Sequence, residues 1–427
     1  MTTNLPGTSE KTLLVGLEHN GISRWDVEDS LGELRQLAAT AGAQVVGTVI
    51  QRLDKPTAPY YIGKGKAGEI AKECEEKAIT SIIFDDELSP AQGRNLEVLT
   101  SRKVLDRTQL ILDIFAQRAR TKEGRLQIEL AQLQYLLPRL TRMWTHLSRQ
   151  SGGIGTRGPG ETQLEVDRRR VQERIARLER DLKEVRKNRG VQREGRLRRN
   201  WPVASLVGYT NAGKSSLLNH LTGAGVLAVD KLFATLDPTT RQITLPNRQK
   251  ILLTDTVGFI RKLPHTVIES FKATLEEVQL ADLLLHVVDL SHPQYRDQMT
   301  AVDAALAELD AAGKQTILIF NKTDLVSDPE IVASQLARYP GSVAISARTG
   351  AGIPSLIDEL EIRLAGWRLR GTYRIPSNES ALLAEIHRAG HVLDIRYVGD
   401  DAIVQAHVPQ ELSAKLTAYE AGAADPR

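Results

Sequence analysis

Cysteine is almost absent from this sequence, which has one, Cys74, among 427 residues. A single cysteine excludes an intramolecular disulfide framework and predicts a reducing compartment. The surrounding residues 71–75 offer the thiol no partner for metal binding or catalysis. We therefore interpret Cys74 as an ordinary helix residue.

Long apolar runs are also missing. The most apolar stretches, such as residues 283–288, have the length of a strand and fall far short of the roughly 20 residues that cross a bilayer as a helix. The N-terminus lacks the charged and then apolar pattern of a signal peptide. The sequence therefore predicts that no segment spans a membrane.

Charge of one sign is concentrated in one part of the chain. Residues 107–199 contain 23 Lys and Arg against 11 Asp and Glu, a net charge of +12 in a chain whose total is +3. The remainder therefore carries −9. A solvated helical face usually balances its charges, so this imbalance favours a polyanionic partner, and nucleic acid in particular.

The length and an ordinary globular composition predict about two to four domains, and the patterns predict an α/β protein. Residues 1–107 predict a small parallel α/β domain, because apolar strand patterns at 13–17, 45–49 and 82–84 alternate with helical patterns. Strand and helix patterns also alternate through residues 201–367. Residues 368–427 predict a small α+β tail domain.

Residues 108–200 predict a long antiparallel helical hairpin with a basic linker. Apolar residues alternate at spacings of four and three in the first helix, at Leu126, Leu130, Leu133, Leu137, Leu140, Trp144 and Leu147. The second helix has the matching set Leu164, Val171, Ile175, Leu178, Leu182 and Val185. The two helices should share one apolar seam, joined by a Gly/Arg-rich turn at residues 151–160. Pro138 should kink the first helix.

A phosphate-binding motif follows the buried strand pattern at residues 203–207. It matches G-x-x-x-x-G-K-[ST] and consists of Gly208, Tyr209, Thr210, Asn211, Ala212, Gly213, Lys214 and Ser215. The glycines let backbone N–H groups surround a β-phosphate, Lys214 places a positive charge on the β and γ oxygens, and the Ser215 hydroxyl suits Mg²⁺. The strand and helix around the motif make this a specific signal.

Three further motifs follow in the order that a GTPase requires, each after a strand pattern. They are Asp255, Thr256, Val257 and Gly258; then Asn321, Lys322, Thr323 and Asp324; then Ser346, Ala347 and Arg348. Asp255 can hold a Mg²⁺-bound water, and the Gly258 N–H can meet a γ-phosphate. The Asp324 carboxylate can accept two hydrogen bonds from guanine, which adenine cannot donate. The sequence therefore predicts GTP as the nucleotide.

The segment that senses the γ-phosphate needs a threonine that ligates Mg²⁺. Thr235, Thr239 and Thr240 compete for this role, and spacing alone does not decide among them. The residue after Gly258 is Phe259, which cannot orient a water as glutamine does in many small GTPases. Slow intrinsic hydrolysis is expected, unless another residue of this chain fills that role. Asn211 suggests K⁺ beside the phosphates, although an asparagine that only shapes the loop explains it equally well.

Several phrases together resemble the HflX family of ribosome-associated GTPases. They are FATLDPT at 233–239, DTVGFI at 255–260, GTRGPGE at 155–161 and YIGKGK at 61–66. The resemblance covers about residues 10–367, and the combination is specific, whereas the tail domain is less diagnostic.

This resemblance implies a monomeric cytoplasmic GTPase that docks on rRNA of the large ribosomal subunit and separates stalled ribosomes. It implies hydrolysis of GTP to GDP and phosphate that the ribosome stimulates. It selects Thr235 as a Mg²⁺ ligand beside Ser215, with Lys214, Thr235 and Gly258 as catalytic residues. It also adds a GTP-binding segment made of Phe233, Ala234, Thr235, Leu236 and Asp237.

Two other functions remain open from the sequence. One is a nucleotide-driven RNA helicase or chaperone that uses the N-terminal domain, and the other is a regulatory GTP switch that recruits a protein. The basic hairpin disfavours the purely regulatory switch. The N-terminal domain lacks a second phosphate-loop motif, which disfavours the helicase.

Overall fold

The computed structural model describes the backbone of residues 10–140, 163–197, 201–223, 232–233, 235–262 and 276–421. It describes their side chains except at 163–164, 186–197, 368, 410 and 411. The chain forms two compact units. The first comprises Met1–Lys187, Val229–Asp237 and Ile260–Thr274, and the second comprises Asn188–Ala228, Pro238–Phe259 and Leu275–Arg427.

The first unit contains a four-stranded parallel sheet. Its strands are β1 (Lys11–Glu18), β2 (Gln44–Arg52), β3 (Ser81–Phe84) and β4 (Lys103–Asp106), in the order β2-β1-β3-β4. Its helices are α1 (Arg24–Thr40), α2 (Lys64–Glu76), α3 (Pro90–Thr100) and α4 (Arg107–Arg118). The apolar residues of β1 and β3 are fully buried, as expected for central parallel strands. Strand β4 was not anticipated, because four residues of mixed polarity give no clear period.

Two helices of the predicted hairpin follow, α5 (Lys122–Leu136) and α6 (Gln163–Leu197). Leu130 packs with Leu178 and Leu182, so the predicted apolar seam is present in this part of the pair. The prediction for Pro138 was wrong: α5 ends at Leu136, and the proline lies in a 3₁₀ turn. Proline lacks the N–H that an α-helical residue donates to the carbonyl four residues earlier, so the regular α-helix ends before it. The turn at 151–160 lies outside the described residues.

The second unit is built on a six-stranded sheet with the order β10-β9-β8-β5-β7-β6, in which only β6 is antiparallel. The strands are β5 (Val203–Gly208), β6 (Thr239–Thr244), β7 (Lys250–Asp255), β8 (Leu283–Asp289), β9 (Thr316–Asn321) and β10 (Val343–Ala344). The helices are α7 (Lys214–Thr222), α8 (Tyr295–Glu308), α9 (Pro329–Arg338) and α10 (Ile353–Arg363).

The tail adds a three-stranded antiparallel sheet with the order β11-β13-β12. Its elements are β11 (Arg368–Pro376), α11 (Ser380–Ala389), β12 (His391–Val398), β13 (Asp401–Pro409) and α12 (Gln410–Leu416). This sheet has its own apolar core, which includes Tyr373, Ile386 and Val404. Strand β11 was missed because its arginines and Gly371 interrupt the apolar alternation.

The α/β fold class predicted from the sequence is confirmed, including the small parallel sheet, the helical pair and the α+β tail. The four domain boundaries stay a prediction. Among the helices that the structure describes, none combines the length and apolar character that a bilayer crossing needs.

Candidate nucleotide site

Most of the predicted nucleotide motifs lie at one edge of the six-stranded sheet. Gly208 is the last residue of β5, Asp255 the last of β7 and Asn321 the last of β9. These three strands are parallel, so their carboxyl ends meet at the same edge, where ligands of doubly wound sheets bind.

Two glycines of the phosphate-loop motif are required by the backbone. Gly208 has φ of 144°, and a Cβ placed there would lie 2.2 Å from the carbonyl oxygen of Val287. Gly213 has φ of 99°, and its Cβ would lie 2.2 Å from Nδ2 of Asn321. Any side chain at either position would therefore collide with its neighbour as well as strain the backbone.

Lys214 begins α7 and is almost entirely buried. Its Nζ donates to the carbonyl oxygens of Gly208 at 3.1 Å and Tyr209 at 2.7 Å. An ammonium has three N–H groups, so one is left for a phosphate oxygen. Burial lowers the pKa of Lys214 to about 8, although nearby Asp255 opposes the shift. The helix N-terminus adds its own attraction for an anion.

Ser215 and Asp255 place oxygen atoms side by side next to this ammonium. The Ser215 hydroxyl donates to Oδ2 of Asp255 at 2.6 Å, and Asp255 is fully buried. Mg²⁺ prefers oxygen ligands and usually takes one or two protein oxygens together with phosphates and waters. The residues present therefore fit this cation.

The segment after Asp255 is joined to the phosphate loop by its backbone. Phe259 N–H donates to the Gly208 carbonyl at 3.1 Å, and Thr210 N–H donates to the Phe259 carbonyl at 2.8 Å. A Cβ at Gly258 would lie 2.8 Å from Cα of Thr210 and from Nζ of Lys214. The Phe259 side chain is buried, so it faces the interior and cannot orient a water.

Asn321 links the phosphate loop to the predicted guanine-binding loop. Its Nδ2 donates to the Ala212 carbonyl at 2.8 Å, and its Oδ1 accepts from the Ala347 N–H at 2.9 Å. Asp324 accepts a hydrogen bond from the Ser346 hydroxyl at 2.6 Å. The structure thus brings the third and fourth motifs together, whereas the Arg348 side chain is exposed.

Sequence reasoning missed Asp289, the last residue of β8. Its Oδ2 lies 2.6 Å from Nζ of Lys322, within the Asn-Lys-Thr-Asp motif. Its Oδ1 accepts from the backbone N–H of Ser291 at 3.1 Å and from the Ser291 hydroxyl at 2.5 Å. The available signal was an acidic residue that directly ends a buried apolar strand at the ligand edge.

The segment with the candidate Mg²⁺ threonine makes its described contacts in the first unit. Phe233 packs edge-to-face on Phe115, with ring centroids 4.6 Å apart. Asp237 accepts from the backbone N–H groups of Arg120 at 2.9 Å and Thr121 at 3.0 Å, at the N-terminus of α5. Leu236 is buried, and Ala234 lies outside the described residues. A nucleotide contact by Asp237 therefore stays a prediction.

The two competing threonines lie within a regular strand. Thr239 and Thr240 belong to β6, and the Thr240 hydroxyl is 3.0 Å from that of Thr254. Thr235 lies outside any strand or helix. The choice of Thr235 as the Mg²⁺ ligand stays a prediction.

A second feature missed from the sequence is an ionic cluster around Asp85 in the first unit. Asp85 is buried and pairs with Arg107 at 2.7 Å and with Lys262 at 2.5 Å. Burial raises the pKa of Asp85, but Arg107 and Lys262 outweigh it, so the pKa is lowered overall. Lys262 follows the Asp-x-x-Gly motif in sequence, and also pairs with Asp86 at 2.6 Å.

The phosphate loop, the Asp-x-x-Gly segment and the Asn-Lys-x-Asp segment at one sheet edge define a P-loop GTPase. Three family models match the chain: a GTP-binding GTPase N-terminal region at residues 28–116, a GTP-binding GTPase middle region at 118–196 and a 50S ribosome-binding GTPase at 203–322.

Curated relatives match over almost the whole length. The GTPase HflX of Lacrimispora saccharolytica is 49% identical over 410 residues, which covers 95% of each chain. The GTPase HflX of Escherichia coli (strain K12) is 46% identical over 385 residues and 90% of each chain. The chain belongs to the HflX family of GTPases, and the predicted family and enzyme class are confirmed.

A solved structure shows a more distant similarity. A GTP-binding protein from the archaeon Sulfolobus solfataricus, in complex with GDP, is 25% identical, with a TM-score of 0.43 over 83% of this chain and 99% of that one.

Proposed function

We propose that this GTPase binds the large ribosomal subunit in its GTP form and separates stalled ribosomes into subunits in the cytoplasm. The observation that carries the proposal is the match of residues 203–322 to a family described as 50S ribosome-binding GTPases. The net charge of +12 in residues 107–199 supports an rRNA partner, because phosphate contacts dominate the affinity of proteins for nucleic acid. The same proposal treats the protein as a monomer that acts alone on the ribosome.

The nucleotide roles form part of this proposal. Two N–H groups of the Lys214 ammonium bond backbone carbonyls, and the third would donate to the β and γ oxygens of the nucleotide. Ser215 and Thr235 would hold Mg²⁺, which when bound offsets negative charge on the transferring phosphoryl group. The Gly258 N–H would donate to the γ-phosphate. Asp324 would recognise the guanine edge, with Ser346 holding its carboxylate in place.

Slow intrinsic hydrolysis follows from the position of Phe259. Its ring is buried and its backbone is hydrogen-bonded to the phosphate loop, so this residue supplies no polar group to the attacking water. The ribosome would therefore stimulate hydrolysis. Asn211 would place K⁺ beside the phosphates, and hydrolysis should then be faster in K⁺ than in Na⁺. Equal rates in the two salts would remove this part of the proposal.

The helical pair would act as the arm that reaches rRNA. On α6, Arg168, Arg169 and Arg170 have exposed side chains and can contact phosphates. The predicted tip at 152–160, with five glycines and Arg157, lies outside the described residues. A tip of this composition allows close approach to RNA, and its arginine can pair with phosphate or stack on a base.

Sedimentation and light scattering test the proposal. The protein should co-sediment with 50S subunits with a non-hydrolysable GTP analogue and not with GDP, and it should reduce light scattering of 70S ribosomes only in the former case. Deleting residues 154–159 should leave GTP binding intact and abolish splitting. Equal binding in both nucleotide states, or a deletion variant that splits at the parental rate, would contradict the proposal.

A further inference from the structure

Lys322 has an unusual backbone within the guanine-binding motif. It has φ of 61° and ψ of 34°, the left-handed region that a non-glycine residue rarely adopts. It lies between the end of β9 and the short 3₁₀ turn Thr323–Leu325. This conformation fixes the direction of its Cα–Cβ bond, but the four-carbon stem of a lysine keeps considerable rotational freedom.

Two other polar side chains of the motif are already held in place. Asn321 is fixed between Ala212 and Ala347, and Asp324 is fixed by Ser346. Lys322 is the long and flexible member of the motif. The position of its aliphatic stem relative to a nucleotide therefore depends on the group that holds its ammonium in place.

Asp289 holds that ammonium group from the neighbouring strand. Its Oδ2 lies 2.6 Å from Nζ of Lys322, and the side chains are 14% and 23% exposed, respectively. A charge-assisted contact of this length, largely shielded from water, is stronger than an exposed surface pair.

The carboxylate and the backbone of Asp289 are themselves held in place. Its other oxygen accepts two hydrogen bonds from Ser291, one from the backbone and one from the hydroxyl. Asp289 is paired with Asn321 in the β8–β9 ladder, and the next residue, Leu290, donates its N–H to the Asn321 carbonyl at 3.1 Å. The end of β8, which carries Asp289, is therefore fixed to the end of β9, which Lys322 directly follows.

We propose that Asp289 is a positioning residue for the nucleotide, which keeps Lys322 in one conformation beside the base-recognising Asp324. The side-chain entropy of Lys322 is then already lost in the free protein. Nucleotide binding therefore does not have to offset this entropy cost. Asp289 contacts Lys322 and is not assigned any contact with the base, so it affects affinity and leaves the choice of base to Asp324. The inference rests on the proposed guanine-recognising role of Asp324.

Binding of fluorescent GDP to the nucleotide-free full-length protein tests the inference. Asp289→Asn keeps the size of the side chain and an oxygen for Ser291, and removes the charge. Its Kd for GDP should rise about tenfold, the order expected when a lysine regains its rotamers. The Kd for xanthosine diphosphate should rise by the same factor, and the ratio of the two should not change. For GTP hydrolysis, KM should rise while kcat stays the same.

A double-mutant cycle separates this role from general loosening of the loop. Lys322→Met keeps a flexible apolar stem without the charge, and in that background Asp289→Asn should have no further effect. Ser291→Ala removes one hydrogen bond to the carboxylate, and should raise the Kd in the same direction by a smaller factor. This milder variant keeps the inference testable if Asp289→Asn folds poorly. The control Asp310→Asn changes an exposed aspartate of the same unit and should bind GDP as the parent does.

Three results would overturn the inference. They are an unchanged Kd in Asp289→Asn, an effect of full size in the Lys322→Met background, and a changed ratio of GDP to xanthosine diphosphate affinity. Asp324→Asn tests the underlying site separately, because that variant should shift preference from guanine to xanthine. If it does not, the proposed guanine site fails, whatever Asp289 does.

Discussion

Acid should destabilise the nucleotide-binding sheet through His286. This residue lies in the middle of β8, between Val207 of β5 and Leu318 of β9, and is almost completely buried. Burial, together with the smaller effect of the nearby Lys214 ammonium, lowers its pKa from 6.5 to about 4. The Asp303 carboxylate lies 3.9 Å from Nδ1, too far for a good hydrogen bond.

The sign and size of the effect follow from this pKa. The unfolded chain takes up a proton near pH 6.5, whereas the folded protein does so only near pH 4. Stability is therefore complete above pH 6.5 and decreases as the pH falls toward 4. A difference of this size corresponds to a loss of about 2 kcal/mol between pH 7.5 and pH 5, and of about 3 kcal/mol well below pH 4.

Amide hydrogen exchange in β5 and β8 of the nucleotide-free protein measures this loss. At pH 5 the opening free energy of these strands should be about 2 kcal/mol lower than at pH 7.5, after correction for intrinsic exchange. In His286→Gln this part of the pH dependence should disappear. His387→Gln, at an exposed position, should keep it. If His286→Gln and the parent lose the same free energy on acidification, the reasoning is wrong.

Three other predictions concern the nucleotide site and its surroundings. Asn321→Ala leaves the Ala212 carbonyl and the Ala347 N–H without their partner. The free energy of unfolding should therefore fall by about 2–4 kcal/mol, and GDP binding should weaken. An unchanged urea midpoint would contradict this prediction. Asp237→Ala removes the hydrogen-bond acceptor at the N-terminus of α5. It should lower the free energy of unfolding by about 1–2 kcal/mol and speed amide exchange in α5, and Asp237→Asn should lower that free energy by less. Phe259→Gln should not accelerate intrinsic hydrolysis, because the position faces the interior, and a single-turnover rate well above the parent would argue against the geometry described.

The order of motifs in the sequence was sufficient to predict that several of them would lie at one edge of a sheet. Gly208, Asp255 and Asn321 each end an apolar strand pattern, and parallel strands bring their carboxyl ends to one edge. The choice of Thr235 over Thr239 and Thr240 came from the family resemblance. The structure places the latter two in β6, and the choice of Thr235 stays a prediction.

The ionic pairs around the site could not be predicted in this way. Asp289 and Lys322 are separated by 33 positions, and Lys262 and Asp85 by 177. No local periodicity relates such residues, because their proximity depends on strand order and on which loops pack together. The same holds for Asp237. Its carboxylate contacts Arg120 and Thr121, which precede it by 117 and 116 positions in the chain.

The sequence by itself determined the nucleotide, the class of enzyme and the α/β fold, because phosphate binding requires glycines, a lysine and a hydroxyl at fixed local spacing. Local spacing also predicted that Leu130 and Leu178 would lie on the facing sides of two helices. Tertiary structure alone decided where charges such as the buried Asp85 and the partly buried Lys322 find partners. A charge out of water is stable only beside an opposite charge, and only the folded chain brings distant residues together to provide one.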